Sequence, residues 1–469
     1  MLAGAGGESL SQPNMQSPAK QVPTPRPNII LICADQMRAD FVGGYRENAT
    51  TKTPNLDHMM SMGTTFQYAM TNQPLCSPAR ACMITGRYAT EAGEWKLGLE
   101  LNRDLPTLAS VLSDSGYTTN FIGKWHLMKR DLKAGTGMGF VPLESRGGFR
   151  DTWEGANEFE HTTHPYEGTI WDAHGEEISY KDEYRIDFIT DRTVKFLRQP
   201  HEKPFLLFVS QLEPHQQNDE NRVVAPKGYA ERFKNPYVPY DLRGLPGDWQ
   251  EQLPDYYGCV QKIDESVGTI LKTLEESGLS ENTIVVFISD HGCQFRTRNA
   301  EYKRSAHDSS IRIPFIFQGP GFDVGVVRNE IVGLIDLTPT LLAAAGASLP
   351  RSMKGKNLLP LLKNSETRRM WKNQALIQIS ESMVARAIRT KEWTYCVVDR
   401  DADAHTIPSS IRYEEYQMYN NADDPAQLVN LAGRTQYLEV ATDLRNRLLS
   451  LIEESGEPRP TIALAKVYP

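Results

Sequence analysis

The stretch Pro-Asn-Ile-Ile-Leu-Ile-Cys-Ala at residues 27–34 decides the fold class of this 469-residue chain. It is a short, continuously apolar run that ends abruptly at Asp35. A run of this length without polar alternation is typical of a strand that is buried on both faces of a parallel sheet. Asp35 is therefore predicted to lie at the carboxyl end of that strand.

Two later stretches have the same form. Residues 204–212 lead into Glu213-Pro214-His215, and residues 283–289 lead into Asp290-His291-Gly292. Ligands of open α/β sheets bind beyond the carboxyl ends of the strands. These two polar clusters and Asp35 are therefore predicted to share one crevice.

The segments between these strands carry helical patterns, over residues 105–115, 183–197 and 261–277. Strands that alternate with helices predict an α/β sandwich with a mostly parallel central sheet. Residues 140–180 are rich in Gly, His, Trp and acidic residues. We expect them to form long surface loops near the site.

The character of the sequence changes near its carboxyl-terminal quarter. Short strand-like stretches and then a helical pattern follow one another at 375–379, 383–389, 393–398 and 437–454. This order predicts a small antiparallel sheet subdomain that ends in a helix. The predicted organisation is a disordered leader at 1–26, a catalytic domain at 27–365 and a C-terminal subdomain at 366–469.

The composition excludes several classes of function. The net charge is −8, whereas a nucleic-acid-binding protein normally carries a basic surface. The six cysteines lack Cys-x-x-Cys pairs, which argues against a zinc ribbon or a dense disulfide framework. No apolar run reaches the roughly 18 residues of a membrane span, and no signal peptide is visible. We expect a cytoplasmic protein if this amino terminus is native, and a periplasmic or secreted one otherwise.

The strongest chemical motif is Cys76-Ser77-Pro78-Ala79-Arg80, which is followed by Thr85-Gly86-Arg87. It resembles the signature of the type I sulfatases, which belong to the alkaline phosphatase superfamily. In that family a maturation enzyme converts the cysteine to formylglycine (3-oxoalanine). The resemblance implies an alkaline-phosphatase-like sandwich, a formylglycine-generating enzyme as partner, and Cys76 as the precursor of the nucleophile.

Formylglycine suits the hydrolysis of a sulfate ester. Its hydrate is a geminal diol, in which one hydroxyl attacks sulfur while the other remains available for regeneration. The second hydroxyl then expels sulfate by re-forming the aldehyde. A serine would instead leave a sulfated ester with a stable bond, so maturation is expected to be a condition of activity.

Asp35-Gln36 and Asp290-His291 each follow a predicted strand. From the residues alone, the two aspartates could equally cap the next helices. The resemblance implies instead that these four side chains and the Cys76-derived diol bind one divalent metal, which lowers the pKa of the nucleophile. The commonest family pattern has two adjacent aspartates first and often aspartate-asparagine later, so Gln36 and His291 depart from it. Ca²⁺ is the preferred metal, with Mn²⁺ or Mg²⁺ possible because of the imidazole ligand.

The Gly-Lys-Trp-His element that contains Lys124 and His126 resembles another element of the family. The resemblance implies that Lys124 bridges the nucleophile and a sulfate oxygen, and that His126 orients or deprotonates the diol. It also implies that His215 protonates the departing alcohol or binds a sulfate oxygen. Lys303 would contact the sulfate and the leaving-group oxygen, and Arg80 would hold the formylglycine region through hydrogen bonds.

The resemblance to the family is weaker at residues 305–314, where His307 and Arg312 are expected either to contact substrate or to support the loop.

The small substrate is expected to be a sulfated saccharide, because aromatic faces with polar rims suit sugars. The 140–180 region offers such side chains, which could equally pack the loops: Trp153, His161, His164, Tyr166 and Trp171.

Two alternatives to a carbohydrate sulfatase stay open. The Asp-Gln-Met-Arg-Ala-Asp run at 35–40 is similar to the start of choline-sulfatase and phosphonate-monoester-hydrolase relatives. Hydrolysis of a phosphonate monoester or phosphodiester is therefore the second enzymatic hypothesis. A non-catalytic pseudo-sulfatase is the third, and it is disfavoured because every core position of the family pattern is filled. The oligomeric state stays open.

Overall fold

Parallel strands form the centre of a large sheet in this computed structural model. The structure describes residues 1, 4, 26–48, 50–131 and 133–469. The leader predicted for residues 1–26 therefore lies, apart from residues 1, 4 and 26, outside the described residues. The strands of the large sheet are β1 (Asn28–Asp35), β2 (Gly63–Met70), β3 (Thr118–Lys124), β4 (Trp153–Ala156), β5 (Thr163–His164), β6 (Glu167–Asp172), β7 (Glu177–Lys181), β8 (Phe205–Pro214), β9 (Thr283–Ser289), β10 (Arg312–Ile313), β11 (Phe315–Gln318) and β12 (Val326–Gly333).

The order of the strands explains how the site is assembled. Within the described residues it is β10-β2-β11-β9-β1-β8-β3-β4-β6-β5, with β12 beside β2 and β7 beside β6. Strands β9, β1, β8, β3 and β4 are parallel, and antiparallel pairs flank them on both sides. The predicted sandwich with a mostly parallel central sheet is confirmed, and the three predicted strands β1, β8 and β9 are direct neighbours.

Helices cover both faces of this sheet. The helices are α1 (Pro54–Ser61), α2 (Cys76–Thr85), α3 (Ala89–Ala92), α4 (Leu108–Asp114), α5 (Phe159–Thr162), α6 (Arg185–Leu197), α7 (Trp249–Glu276), α8 (Asp308–Ile311), α9 (Leu337–Ala344), α10 (Leu359–Lys363), α11 (Ser365–Met370) and α12 (Leu438–Glu454). Two of the predicted helices are present as α4 and α6, whereas the pattern at 261–277 is only the second half of a longer helix, α7.

Alternate residues of β1 pack into two separate cores, which is why the run has no polar alternation. Ile30 and Ile32 belong to the core that includes residues of α1, α6 and α7. Ile29 and Leu31 belong to the core that includes residues of α2, α4 and α9. Full burial of such side chains contributes about 1.5–3 kcal/mol each. The strand is thereby fixed between the two helical layers, and Asp35 at its end is held in place.

A second sheet follows along the chain. Its strands are β13 (Gln374–Ile379), β14 (Val384–Thr390), β15 (Trp393–Asp399), β16 (Arg412–Asn420) and β17 (Thr461–Ala463). The first four pair antiparallel, β17 joins β16 in parallel, and α12 packs against the sheet. The predicted C-terminal sheet with its helix is present, whereas the division between residues 365 and 366 stays a prediction. Among the described residues, no helix is long and apolar enough to cross a membrane.

Residues 140–180 do not form the long surface loops that the sequence predicts. They contain β4 to β7 and α5, which extend one edge of the large sheet. Exposed residues alternate there with buried ones such as Ile170 and Tyr180, so the composition looks like that of a loop. Trp153 is 1% exposed and stacks on Phe121 with ring centroids 4.5 Å apart, so the structure shows for it the packing role that the sequence left open beside sugar binding.

Gly123 allows β3 to approach β8 closely beside the site. Its φ is +115°, and an added Cβ would lie 1.9 Å from the carbonyl oxygen of Ser210. Gly123→Ala is expected to lower the free energy of unfolding by about 3 kcal/mol or more, because two backbones would have to separate. Urea titration measures this loss.

Gly135→Ala is the matched control for this prediction. Gly135 also has a positive φ, +66°, but no atom lies within 4 Å of an added Cβ. Its substitution carries only the conformational cost of about 1–2 kcal/mol. Equal losses in the two variants would contradict the argument that the approach of β3 to β8 requires glycine.

Candidate active site

The carboxyl edge of the central strands brings the predicted site residues together. Asp35 ends β1, Lys124 ends β3, His215 follows β8, and Asp290 follows β9. Cys76 reaches the same edge from the first turn of α2. All five side chains are buried. The predicted shared crevice is confirmed.

Cys76 lies at the centre of this crevice. Lys303 Nζ donates to its sulfur at 2.9 Å, His291 Nε2 lies 3.3 Å from the sulfur, and Asp35 Oδ1 lies at 3.5 Å. Burial alone would raise the pKa of the Cys76 thiol, but the charges of Lys124, Lys303 and His291 outweigh burial and hold that pKa well below its usual value. The position therefore stabilises negative charge on the atom at Cys76.

Helix α2 presents Cys76 rigidly. Pro78 lies in its first turn, where a missing N–H costs no helical hydrogen bond, and the helix ends at Gly86 with φ +63°. Arg80, buried on this helix, lies 3.2 Å from Asp35 Oδ2 and 3.3 Å from Asp290 Oδ2. Arg80 thus joins α2 to the ends of β1 and β9, which agrees with its predicted role in holding the region.

Four of the predicted metal ligands form one compact group. Ligand atoms of Asp35, Cys76, Asp290 and His291 all lie within 4.8 Å of one another. His291 Nδ1 donates to the carbonyl of the next residue at 2.9 Å, so Nε2 is the ring nitrogen that faces the other ligand atoms. Gln36 has φ +71°, its N–H donates to Asp290 Oδ1, and its buried Oε1 has no hydrogen-bond partner. This donor set fits a divalent cation.

Lys124 and His126 each lie against a buried carboxylate. Lys124 Nζ is 2.9 Å from Asp35 Oδ2 and 3.1 Å from Glu160 Oε2. His126 Nε2 is 3.1 Å from Glu158 Oε1. Burial alone would lower the pKa of both cations, but Asp35 and Glu160 raise that of Lys124, and Glu158 raises that of His126 to about 9. These buried carboxylates therefore stabilise the cationic forms of both side chains.

Glu158 and Glu160 are site residues that the sequence analysis missed. β4 pairs with β3 in parallel, with Lys124 beside Ala156, so the segment that follows β4 runs beside the end of β3 and brings the two glutamates to Lys124 and His126. His126 has φ +62°, a conformation that non-glycine residues adopt at a cost. The acidic composition of residues 140–180 is the signal that could have indicated such carboxylates.

His215 and Lys303 lie on another side of the sulfur. Lys303 Nζ is 3.2 Å from Nε2 of both His215 and His291. His215 Nδ1 donates to the carbonyl of the following residue, and its Nε2 faces Lys303. A buried pair between Arg185 and Glu213, 2.9 Å apart, ties the end of β8 to α6 and fixes His215.

His307 and Arg312 make other contacts. The ring nitrogens of His307 lie 3.0 Å from Ser305 Oγ and 3.2 Å from the hydroxyl of Tyr419, and burial lowers its pKa to about 3. Arg312 forms a two-pronged pair with Glu47. In this structure both side chains support neighbouring segments, and their predicted contact with substrate stays a prediction.

Comparisons with known proteins agree with this geometry. The Sulfatase family matches residues 27–347, and the family described as N-sulphoglucosamine sulphohydrolase, C-terminal, matches residues 301–454. An ulvan-active sulfatase of Formosa agariphila is 30% identical over 92% of this chain and 82% of its own length. An N-acetylglucosamine-6-O-sulfatase of Bacteroides thetaiotaomicron is 25% identical over 95% of this chain and 89% of its own length.

A solved structure has the same fold. It holds its substrate D-glucosamine-2-N,6-O-disulfate, superposes with a TM-score of 0.74, and is 23% identical over 93% of this chain and 99% of its own. The family matches together cover the chain from the start of β1 to the end of α12. The chain therefore belongs to the sulfatase family of the alkaline phosphatase superfamily and is a sulfuric ester hydrolase.

Proposed function

We propose that this sulfatase carries formylglycine at position 76 together with one divalent cation, and that it removes sulfate from a sulfated carbohydrate. The observation that carries the proposal is the convergence of Lys303, His291 and Asp35 on the sulfur of Cys76, at 2.9, 3.3 and 3.5 Å. A buried thiol surrounded in this way suits the position of a nucleophile that must become anionic.

The cation would be held by Asp35, Gln36, Asp290 and His291, together with the residue at position 76. When bound, it would lower the pKa of the nucleophile and neutralise charge on a sulfate oxygen. Oxygen atoms of two carboxylates and one amide favour Ca²⁺, and the single imidazole leaves Mn²⁺ or Mg²⁺ as alternatives. The unpartnered Oε1 of Gln36 supports its inclusion in this set.

The remaining polar side chains would act on the sulfate and on the leaving group. Lys124 and Lys303 are fixed donors on two sides of position 76, so they can stabilise charge on sulfuryl oxygens without reorganisation. His215 can give a proton to the departing alcohol oxygen when its Nε2 is protonated. His126, held by Glu158, orients a hydroxyl at position 76.

A carbohydrate is the proposed substrate class. The relatives described above act on ulvan or on N-acetylglucosamine 6-sulfate groups, or bind a sulfated glucosamine. His164 pairs with Asp219 at 2.8 Å, a few residues beyond His215. His164 and Tyr166 line a cavity of about 540 Å³, which is large enough for a sugar ring. The role of His164 and Tyr166 in saccharide binding stays a prediction.

Sulfate release from a panel of esters tests this proposal. The matured enzyme is assayed with N-acetylglucosamine 6-sulfate, N-acetylgalactosamine 4-sulfate, a sulfated ulvan oligosaccharide and 4-nitrophenyl sulfate. Matched phosphonate and phosphodiester esters of 4-nitrophenol are included, because Gln36 leaves that chemistry as the second candidate. Turnover of a saccharide supports the proposal, whereas faster turnover of the phosphonate or phosphodiester would replace it.

Glu160→Gln is expected to lower kcat about tenfold with little change in KM. The substitution removes one of the two carboxylates on Lys124, so the ammonium shifts towards Asp35 and is less well placed for the transition state. Steady-state kinetics on 4-nitrophenyl sulfate measure the effect. Glu154→Gln, which breaks a more exposed pair between β4 and Arg192 of α6, is the control. A raised KM with unchanged kcat would mean that Glu160 binds substrate instead.

A further inference from the structure

The turn between β13 and β14 of the C-terminal sheet contacts the residue that follows Lys303. Glu381 lies in this turn, and its Oε2 accepts hydrogen bonds from the guanidinium of Arg304 at 2.7 and 3.0 Å. Ser382 Oγ, in the same turn, donates to the carbonyl of Arg304 at 2.8 Å. The C-terminal sheet therefore holds both the side chain and the backbone of Arg304.

Arg304 also contacts the segment that leads to Cys76. Its N–H donates to the carbonyl of Pro74 at 3.2 Å. Arg304 has φ +69°, a conformation that a non-glycine residue keeps only where its surroundings hold it. The course of the chain at Lys303 therefore depends on the contacts that Arg304 makes.

The same turn reaches the segment before Cys76 directly. Gln73 Nε2 donates to Ser380 Oγ, at the start of the turn, at 2.6 Å, and both residues are buried. The turn thus joins the segment that carries Cys76 to the segment that carries Lys303. These are the two segments that meet in the site, where Lys303 Nζ donates to the sulfur of Cys76 at 2.9 Å.

Glu381 is the better shielded of two acidic partners of Arg304. The side chains of Arg304 and Glu381 are 13% and 11% exposed, whereas Glu301, which lies 2.8 Å from Arg304, is 53% exposed. Exposed ion pairs contribute little, because water screens them and both side chains lose freedom. The other oxygen of Glu381 accepts the N–H of Leu97 at 3.0 Å, which fixes the carboxylate. Glu381 therefore determines where Arg304 lies.

We propose that Glu381 is a positioning residue, which places Lys303 Nζ beside position 76 by holding Arg304. The proposal rests on the proposed function, because Lys303 serves there as a donor to the sulfuryl oxygens. A misplacement of about 1 Å at a reacting centre can lower the rate about a hundredfold. Since every substrate carries the sulfate group, displacing Lys303 should slow all sulfate esters to the same extent.

The test is made with Glu381→Gln in the matured enzyme. The amide oxygen can still accept the N–H of Leu97, whereas the NH₂ group cannot accept a hydrogen bond from Arg304. We expect kcat/KM to fall about tenfold for 4-nitrophenyl sulfate, and equally for the saccharide sulfate of the panel that is turned over fastest. Ser382→Ala removes one hydroxyl from an exposed residue, so the protein stays folded, and it should lower both values about threefold.

A double-mutant cycle separates positioning from support of the fold. In Lys303→Ala, the further change Glu381→Gln should lower the residual kcat/KM less than about twofold, because the group that it positions is absent. A loss caused by weaker folding would instead be the same in both backgrounds. Glu415→Gln is the control, since Glu415 of β16 pairs with Arg445 of α12 at 3.0 Å and is also mostly buried. It should leave the turnover of both esters unchanged.

The outcomes separate this proposal from the proposed function. Equal losses on both esters in Glu381→Gln that disappear in the Lys303→Ala background support the role of Glu381. A loss confined to the saccharide, an undiminished loss in Lys303→Ala, or unchanged activity of Glu381→Gln each overturns that role. The carbohydrate assignment fails separately, if the unaltered enzyme releases sulfate from 4-nitrophenyl sulfate but from no saccharide. The cycle on 4-nitrophenyl sulfate then still decides the role of Glu381.

Discussion

Replacing Cys76 with alanine is expected to lower sulfate release at least about 1,000-fold while the protein stays folded. The loss follows because no atom at position 76 could then attack sulfur, whereas Lys124, His215 and Lys303 would still bind the anion. The side chain is small and lies at the first turn of α2, so its removal leaves only a small cavity. Released sulfate and circular dichroism measure the two parts of the prediction.

Cys82→Ala is the matched control for Cys76→Ala. Cys82 is a buried cysteine of the same helix. Burial raises the pKa of its thiol, whereas neighbouring charges lower the pKa of the Cys76 thiol. Its substitution should lower the stability of the protein but change its activity little.

Mass spectrometry of the Cys76 peptide should give the mass expected when –CH₂SH becomes –CHO. Unmodified cysteine in protein from its native host would favour the non-catalytic hypothesis, and full activity of Cys76→Ala would exclude formylglycine chemistry.

The part of the site that lies at strand ends could be predicted from the sequence. β1, β8 and β9 are buried on both faces, so they appear as continuous apolar runs, and the polar residue that ends each run is easy to locate. Because these strands are parallel neighbours, Asp35, His215 and Asp290 lie at one edge. The prediction agrees with the fold at these three strands because burial of the whole strand determines both the apolar sequence run and the position of the strand in the sheet.

Other features depend on contacts that a local pattern does not contain. Glu158 and Glu160 reach Lys124 and His126 because β4 lies beside β3 in the sheet. The first half of α7 was not predicted because Pro254, which lies inside the helix, interrupts the helical pattern. Such features depend on contacts within the folded chain, which the local composition of a segment does not determine.

Two site residues have backbone conformations that their residue types disfavour. Gln36 and His126 both have positive φ values, 71° and 62°, which local propensity does not predict for these residue types. Each such residue costs about 1–3 kcal/mol unless its surroundings hold it. The hydroxyl of Tyr256 accepts a hydrogen bond from the N–H of Arg38 and donates one to the carbonyl of Gln36, which holds the backbone at Gln36 in place. Both departures from local preference lie at predicted site residues, although residues outside the site, such as Arg46 and Asp182, also have positive φ values.

Removing the divalent cation with a chelator is expected to abolish sulfate release and to destabilise the fold. Burial and the charge of Asp35 raise the pKa of Asp290, so two carboxylates share a small volume that a cation would neutralise. Adding back Ca²⁺ at about 100 times its dissociation constant should restore about 2.7 kcal/mol of stability. Sulfate release and urea unfolding measure recovery, and Ca²⁺ should act at lower concentration than Mn²⁺ or Mg²⁺.

The chelator experiment needs a variant that separates metal loss from other damage. Asp290→Asn removes one charged ligand but retains its shape, so metal content measured by inductively coupled plasma mass spectrometry should fall well below one ion per chain. Calcium-saturated chelator, which cannot strip the site, should leave activity unchanged. Full activity in protein shown to be free of metal would contradict the requirement for a cation. Recovery with Mn²⁺ but not Ca²⁺ would instead identify His291 as the ligand that decides selectivity, because an imidazole nitrogen favours the transition metal over calcium.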